Sequence, residues 1–286
     1  MNELIIYDLD DFITMENDNF ILGSFESFHL GHYQLLKEAQ SNGGRIILVC
    51  FNAEKGMPKF KKKIFTDNYA KYEQLARLPF DAIVQLDFNR IKHLSGEDFL
   101  LALAQNHYVN FIAGSDFRFG NNASFTLEDF DNEEYYSKFK IQQVDLLQDI
   151  NSKISTSKLK ESLEFGDINF INSLLVFNYA FSGILNEPNI IKTIDNLCKI
   201  QSATYCALFH IGEFVYYGVM HISLSGVRTL KLIKYEINDT VMNTRVVVEV
   251  VSKIRTIISN YDDYINDEDM QRAQDYFARK IIENKK

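Results

Sequence analysis

The sequence has few of the residues that build cross-links, metal centres or membrane spans. It contains three cysteines, Cys50, Cys198 and Cys206, and none forms a CxxC pair, so buried free thiols in a reducing compartment are expected. It shows no metal-ligand cluster and no apolar run of about 18 residues, which argues against a membrane span. Its first residues, MNELIIYDLDDF, lack a basic stretch followed by an apolar one, so no signal peptide is expected. These absences predict a soluble, cytoplasmic protein.

The charge balance is acidic, with a formal net charge of −9 and a pI of about 5.2. An acidic chain repels the nucleic-acid backbone, because affinity for that backbone comes largely from cations that displace its counterions. A small anionic ligand is a different case, since a few local donors can hold it. With 286 residues, 46% of them hydrophobic, the chain can form one large or two medium domains.

Strand and helix patterns alternate in the first half of the chain. Apolar strand patterns cover 20–25, 45–51, 82–88, 109–113 and 140–147, and helical spacing covers 31–41, 66–78, 96–106, 156–165 and 167–175. Thr66 is placed to cap the second of these helices. Strands separated by helices imply a parallel sheet with right-handed crossovers. The first half therefore predicts a doubly wound α/β domain.

Closely spaced strand patterns follow from about residue 181. Strands are predicted over 206–211, 213–221, 230–235 and 245–251, with turn residues between them, and a final helix over 267–283. This pattern favours a small antiparallel β-barrel with a C-terminal helix. With the boundary placed at 176–182, the predicted domains are 1–178 and 179–286.

The first motif is ILGSFESFHLGH, in which His29 and His32 flank Gly31 at the start of a helix. A helix start presents unpaired N–H groups and the positive end of the dipole, so an anion is favoured there. The histidines add two donors, and Gly31 lets the backbone approach phosphates closely. Spacing alone leaves two partly exposed capping histidines as an alternative. The position after the first strand of an α/β domain favours a phosphate site.

The second motif, GSDFRFG at 114–120, directly follows a buried strand pattern. Sites in parallel sheets form at the carboxyl ends of strands, so this loop is expected to face the first. Asp116 and Arg118 would position a substrate or order the loop. A loop salt bridge, with Phe117 and Phe119 as packing anchors, is the alternative.

The third motif is KISTSKLK at 153–160. The hydroxyls of Ser155, Thr156 and Ser157 can cap a helix and donate to a phosphate, and Lys158 and Lys160 would neutralise a triphosphate. A plain helix cap with solvated lysines is the alternative. The basic run KFKKK at 59–63 is expected to be a solvated loop, or else a mobile arm that meets an anionic substrate.

Taken together, the three motifs resemble those of the bacterial bifunctional riboflavin kinase/FAD synthetase family over residues 18–178. That family has GxFDGxHxGH, GxDFRFG and ISSTxIR, where this chain has GSFESFHLGH, GSDFRFG and ISTSKLK. The second motif is the most discriminating, since other HxGH enzymes are not expected to carry it.

The resemblance implies that the N-terminal domain adenylylates FMN with ATP and Mg²⁺, giving FAD and pyrophosphate. It implies that His29 and His32 are catalytic, and that the partners are small molecules, with neither nucleic acid nor membrane. By the same matching, the residues that bind ATP are Gly23, Ser24, Phe25, Gly31, Ser155, Thr156, Ser157 and Lys158. Those that contact the substrates in the second loop are Asp116, Phe117 and Arg118.

This chain departs from the family motifs at positions that bear on its chemistry. Glu26 stands in place of Asp and is expected as the metal ligand, and Ser27 replaces Gly. Lys158 and Lys160 replace arginines, which keeps the charge but loses the bidentate fork.

The second half resembles the riboflavin kinase module of the same family but lacks its motifs. The PTAN motif is missing, with KTIDN at 192–196 nearest to it, and SGILNEPN at 182–189 replaces a glycine-rich loop. Lys231 stands where the family has its catalytic Glu, and a lysine cannot act as a carboxylate base. Loss of kinase activity is therefore expected. Two alternatives remain for the whole chain: a non-catalytic relic that binds flavin or a partner protein, and a nucleotidyltransferase for another phosphate acceptor.

Overall fold

The structure is a computed structural model that describes residues 4–56, 63–145, 148–149, 152–187, 189–237 and 242–283. Residues 59–62 of the basic run lie outside these ranges. The chain forms two compact units, one of Met1–Lys62 and Tyr72–Ile154, the other of Lys63–Lys71 and Ser155–Lys286. These units divide the chain at other positions than the predicted domains 1–178 and 179–286.

A six-stranded, fully parallel sheet forms the first unit. Its strands are β1 Ile5–Asp8, β2 Asn19–Leu22, β3 Ile46–Phe51, β4 Ala82–Leu86, β5 Val109–Gly114 and β6 Phe139–Val144. Its helices are α1 Leu30–Asn42, α3 Phe88–Ile91 and α4 Gly96–Ala104, and α2 Asn68–Leu75 begins in the second unit and ends in the first. Two short antiparallel strands follow, β7 Gln148–Asp149 and β8 Ser152–Lys153. The predicted doubly wound fold is confirmed.

The four inner strands, β2 to β5, are buried on both faces, which explains why they read as continuous apolar runs. Within β2, Phe20 belongs to one core cluster and Ile21 to another, because successive side chains of a strand point to opposite faces. Phe20 stacks on Phe111 of β5, with ring centroids 5.6 Å apart. The apolar sequence of β3, IILVCF, is buried over its first five residues.

The strand order, β1-β4-β3-β2-β5-β6, positions the candidate site. From β2 the chain continues to β3 on one side, and it later returns to add β5 on the other. Leu22 of β2 pairs with Ala113 of β5, so both strands end at the same edge of the sheet. This is the topological switch point, where doubly wound sheets bind ligands.

Several predicted boundaries were wrong. The first strand pattern, 20–25, ends at Leu22, because the chain turns and Phe25 adopts a φ of 41°. The helix predicted over 66–78 spans only Asn68–Leu75. Thr66 is not its cap: the carboxylate of Asp67 accepts the N–H of Ala70 at 3.0 Å, and the Thr66 hydroxyl donates instead to the carbonyl of Ala180.

A closed six-stranded barrel forms the second unit, in the order β10-β13-β12-β11-β14-β9. Its strands are β9 Ala180–Glu187, β10 Ile190–Lys192, β11 Ala203–Ile211, β12 Phe214–Ile222, β13 Arg228–Leu232 and β14 Arg245–Thr256, and its helices are α5 Thr156–Glu164, α6 Ile168–Leu174 and α7 Asp267–Glu283. All pairs in the barrel are antiparallel. The predicted barrel and final helix are confirmed, although the sequence did not indicate β9 and β10 and placed the third predicted strand two residues late.

An ion pair anchors α7 to the barrel. The buried carboxylate of Asp269, in the first turn, accepts from Nε and Nη2 of Arg255 at 2.8 and 2.9 Å, and Thr204 of β11 donates to the same carboxylate at 3.1 Å. Further along the helix, Phe277 lies in an apolar cluster with Val219 of β12. Across the described ranges, no helix is both long and apolar enough to span a membrane.

Candidate active site

Helix α1 starts at the end of the loop that follows β2, and His29 is its N-cap. His29 has extended backbone angles, φ −101° and ψ 172°, and its Nδ1 accepts the backbone N–H of His32 at 3.3 Å. Because Nδ1 accepts, the neutral ring of His29 carries its proton on Nε2, which leaves Nε2–H as the donor. The prediction of a helix start at these histidines is confirmed, and His29 is both a cap and a buried side chain.

The two histidine rings stack on each other. Their centroids are 3.6 Å apart and their planes differ by 18°. Phe25 meets the His32 ring edge-on at 4.7 Å, and Phe28 lies 5.8 Å from it. The histidines are therefore a fixed pair at the helix start, where the backbone N–H groups and the dipole favour an anion.

The loop before α1 is tightly folded around Phe25. Phe25 is 1% exposed, so its ring is packed inside the loop and not displayed at the surface. A Cβ added to Gly23 would lie 2.6 Å from that ring, which explains the need for glycine. Ser24 is half-buried, and Gly31, in the first turn of α1, is buried.

The second loop follows β5 at the neighbouring position of the sheet edge. Asp116 and Arg118 are exposed, and Phe117 is half-buried with its ring stacked on that of Phe119 at 5.8 Å. In the part of the chain that the structure describes, Arg118 makes no ion pair, so the alternative of a salt bridge through this arginine finds no support there. Phe119 is buried and anchors the loop.

Gly120 gives this loop its shape. It has a φ of +71°, and a Cβ there would lie 2.8 Å from the backbone nitrogen of Gly96, at the start of α4. Phe119 and Phe125 form a two-way backbone bridge across the turn, with N–O distances of 2.9 and 3.2 Å. The last glycine of GSDFRFG is thus required by close packing, and Asp116 and Arg118 project from a rigid base.

From Ser155 onward the third motif belongs to the second compact unit, where it begins α5. Ser155 is the N-cap, and its Oγ accepts the N–H of Lys158 at 3.3 Å. Ser157 is exposed and Thr156 is half-buried. Lys158 places Nζ 5.2 Å from the centre of the Phe170 ring, and Lys160 donates to the carbonyl of Lys63 at 2.7 Å. The predicted helix cap is confirmed, and both lysines have partners within the unit.

The donors that could hold a metal are few. Among the described residues, no group of three or more His, Cys, Asp or Glu side chains could bind a metal ion. Glu26, in the first loop, is a buried carboxylate with a partner. One carboxylate is compatible with Mg²⁺, which proteins usually hold through one or two carboxylates, waters and the phosphates of the substrate.

An open cleft of about 1190 Å³ lies on the barrel. Exposed Lys231 of β13 lines it, as do Thr229 and the half-buried Asp263. His221 of β12 connects the latter two: its Nδ1 lies 3.1 Å from the Thr229 hydroxyl and its Nε2 2.8 Å from the Asp263 carboxylate. Sequence reasoning missed this hydrogen-bonded chain, because a single histidine in a strand pattern gives no signal and Asp263 is 42 residues away.

Arg228, at the start of β13, is half-buried. Its guanidinium lies 5.6 Å from the centre of the Phe181 ring, and burial lowers the pKa of Arg228. The stretches matched to the kinase motifs lie partly in regular strands of the barrel. Residues 182–187 belong to β9, and Lys192 ends β10, while residue 188 lies outside the described ranges.

Comparison with known proteins shows that this chain belongs to the FAD synthetase family. A family model described as FAD synthetase matches residues 14–158, which is half of the chain. The bifunctional riboflavin kinase/FMN adenylyltransferase of Buchnera aphidicola subsp. Acyrthosiphon pisum is 26% identical over 186 residues, covering 59% of this chain and 57% of that protein. The protein of the same name from Bacillus subtilis is 27% identical over 177 residues, covering 57% and 55%.

The chain thus spans little more than half the length of these curated relatives. A solved structure, described as a macrolide-efflux protein from Streptococcus pneumoniae, matches 98% of both chains with a TM-score of 0.74 and 18% identity. At that identity the likeness concerns the fold alone.

Proposed function

Because the chain belongs to the FAD synthetase family, we propose that it transfers the adenylyl group of ATP to FMN, giving FAD and pyrophosphate. The observation that carries the proposal is the stacked pair of His29 and His32 at the start of α1. This pair lies at the switch point of a parallel sheet, where the neighbouring strand β5 leads into the GSDFRFG loop. The names of the relatives include FMN adenylyltransferase, which supports FMN as the acceptor.

Adenylyl transfer needs a well-positioned α-phosphorus more than it needs a general base. A phosphate oxygen of FMN, already anionic, attacks the α-phosphorus of ATP. The bond from that phosphorus to the bridging oxygen breaks, and its electron pair leaves with pyrophosphate. Charge grows on the phosphate oxygens during this step, so fixed donors that face them lower the barrier. Nε2–H of His29, the ring of His32 and the first N–H groups of α1 are those donors.

The second loop supports the same reaction from the neighbouring strand end. Arg118 is a free exposed cation among the described residues, and an arginine recognises phosphate oxygens in a bidentate manner. Asp116 and Phe117 complete the substrate-facing side of this loop. In the second unit, the hydroxyls of Ser155, Thr156 and Ser157 and the cation Lys158 would contact the triphosphate.

Mg²⁺ is part of the proposal. Glu26 would hold it together with the phosphates of ATP, and the ion would neutralise charge on them. Glu26 has one methylene more than the aspartate of the family motif, so the carboxylate has a longer reach from the same backbone position.

We also propose that this chain has no riboflavin kinase activity. Lys231 stands at the position of the family's catalytic carboxylate, and an ammonium group cannot accept the proton of a riboflavin hydroxyl. Residues 182–187, matched to the glycine-rich loop, are regular strand in β9.

The test is direct. The purified chain, with FMN, ATP and Mg²⁺, is expected to form FAD and pyrophosphate, followed by chromatography. His32→Ala is expected to lower kcat on the order of 10²–10³-fold, as loss of an oxyanion donor does. Exposed His107 offers the matched control, His107→Ala, with unchanged kcat. Absence of FAD across metals and pH would refute the proposal, and FMN from riboflavin and ATP would refute the loss of kinase activity.

A further inference from the structure

Phe25 is held in a backbone conformation that a bulky residue avoids. Its φ is 41°, in the left-handed region, which costs energy and persists only where the surroundings enforce it. Among the described residues it is the only aromatic one with a positive φ. Such strain tends to occur at functional sites, where the surroundings hold a side chain in place.

The surroundings of the Phe25 ring leave it little freedom. The ring is 1% exposed, and the Cα of Gly23 approaches it so closely that a methyl group there would lie 2.6 Å away. The Phe28 ring lies 6.0 Å from it, tilted by 36°. The Phe25 ring also belongs to the apolar cluster that contains Leu35 and Leu36, and it contacts the ring of His32.

The contact with His32 continues into the catalytic pair. The ring centroids of Phe25 and His32 are 4.7 Å apart at an interplanar angle of 68°, a favourable edge-to-face arrangement for aromatic rings. On its other side His32 stacks on His29 at 3.6 Å. Gly23, Phe25, His32 and His29 therefore form a continuous series of contacts from the end of β2 to the helix cap.

We propose that Phe25 is a positioning residue for His32, with Gly23 as the space that lets its ring reach that place. The strained backbone at Phe25 fixes the His32 ring in the stack before a nucleotide arrives, so that the donors need no rearrangement during transfer. This inference rests on the proposed function, because it takes His32 as a phosphate-contacting side chain. A misplacement of about 1 Å in such a group costs on the order of 10²-fold in rate.

The test uses Phe25→Leu and Gly23→Ala in the full chain, the first removing the ring and the second displacing it. Phe139→Leu is the matched control, because Phe139 is equally buried at 1% but packs against Phe111 and Tyr135. One readout is the set of nuclear Overhauser contacts between the ring protons of His32 and those of His29 in the protein without substrates, assigned with His32→Gln. The other is kcat and KM for FAD formation, and circular dichroism checks that each variant is folded.

Both test variants are expected to weaken the Overhauser contacts between the His32 and His29 rings, because the His32 ring leaves the stack, and to lower kcat about 10- to 100-fold with a smaller effect on the KM for ATP. Phe139→Leu is expected to leave these contacts and kcat unchanged. The inference is overturned if folded Phe25→Leu keeps the Overhauser contacts between the two histidine rings, or if Phe139→Leu lowers kcat as much. If the unaltered chain makes no FAD, the proposed function fails, and the Overhauser contacts still decide whether Phe25 positions His32.

Discussion

The carboxylate of Asp67 accepts both polar hydrogens of Ser182, the backbone N–H at 2.5 Å and the hydroxyl at 2.7 Å. The two residues are 115 positions apart, and both are buried. The same carboxylate also caps α2 through the N–H of Ala70. One side chain thus begins a helix and ties its first turn to β9, within the second compact unit.

Replacing Asp67 by Ala is expected to destabilise the protein by about 2–4 kcal/mol, because buried donors then lose their acceptor at about 1–3 kcal/mol each. The free energy of unfolding in urea measures the effect. Asp195→Ala is the control, since Asp195 is exposed in the same unit. Equal losses from the two variants would contradict this role for Asp67.

Removing the charge of Asp269 is expected to loosen α7 from the barrel. Asp269→Asn leaves the half-buried Arg255 guanidinium with only the more distant carboxylate of Asp262, at 3.6 Å, so the cost is expected near the lower end of the roughly 3–5 kcal/mol for breaking a buried ion pair from one side. In the unaltered chain the hydrogen bonds to Asp269 raise the pKa of Arg255; in the variant Arg255 stays charged, because a guanidinium remains protonated in proteins even without a carboxylate partner. Asp267→Asn, in the same helical turn but exposed, should cost far less. Hydrogen exchange in α7 locates the loss, and unchanged protection there would count against the anchoring role.

Gly120→Ala is expected to be more harmful than Gly43→Ala. The two glycines have nearly the same backbone, φ 71° with ψ −175° and φ 72° with ψ 179°, so the conformational cost of alanine is similar. Only at Gly120 would the new Cβ meet backbone, 2.8 Å from the nitrogen of Gly96, whereas nothing lies within 4 Å at Gly43. The steric difference is expected to be about 1–3 kcal/mol. Thermal unfolding of both variants measures it, and equal midpoints would show that close packing does not constrain Gly120.

The Cys206 thiol is expected to be unreactive in the folded protein. Burial raises its pKa to about 12, so almost no thiolate, the reactive form, exists at neutral pH. All three cysteines are buried, and iodoacetamide should label them only after unfolding. Rapid labelling of Cys206 under native conditions would show that the site opens readily.

The raised pKa of Cys206 also makes the stability of the folded protein depend on pH in the alkaline range. The unfolded thiol ionises near its usual pKa of about 8.5, while the folded thiol stays protonated until about pH 12. The contribution of the protonated Cys206 thiol to the free energy of unfolding is complete below the pKa of the unfolded thiol. It is lost as the pH rises toward the pKa of the folded thiol. The urea midpoint should therefore fall less steeply above about pH 9 for Cys206→Ala than for the unaltered chain, and identical slopes would contradict this.

Much of the fold follows from patterns that the sequence displays locally. The IILVCF run of β3 is buried on both faces and was recognisable as a central parallel strand. The histidines of HxGH, found after a strand, correctly predicted the start of α1. The strand β1 gave no such signal, because it is an edge strand of four residues in which Ile5 and Ile6 are exposed.

The details that shape the candidate site depend on contacts that no local pattern contains. The positive φ of Phe25 has no signal in the sequence, because a GxF sequence is equally compatible with a strand that continues. The expectation that Thr66 caps α2 failed because Thr66 and Asp67 bond with β9, more than a hundred residues later. For the same reason the second compact unit includes residues 63–71, which the sequence assigned to the first domain.

Because residues 63–71 belong to the second unit, the two units cannot be produced separately by simple truncation. No single cut releases a complete second unit, because nine of its residues are encoded between β3 and β4. A fragment beginning at residue 155 would leave Ser182 and the Ala180 carbonyl without the partners that Asp67 and Thr66 provide. Exchange of this barrel for that of a homologue must therefore include the matching nine residues, so the two units cannot be exchanged as simple consecutive segments.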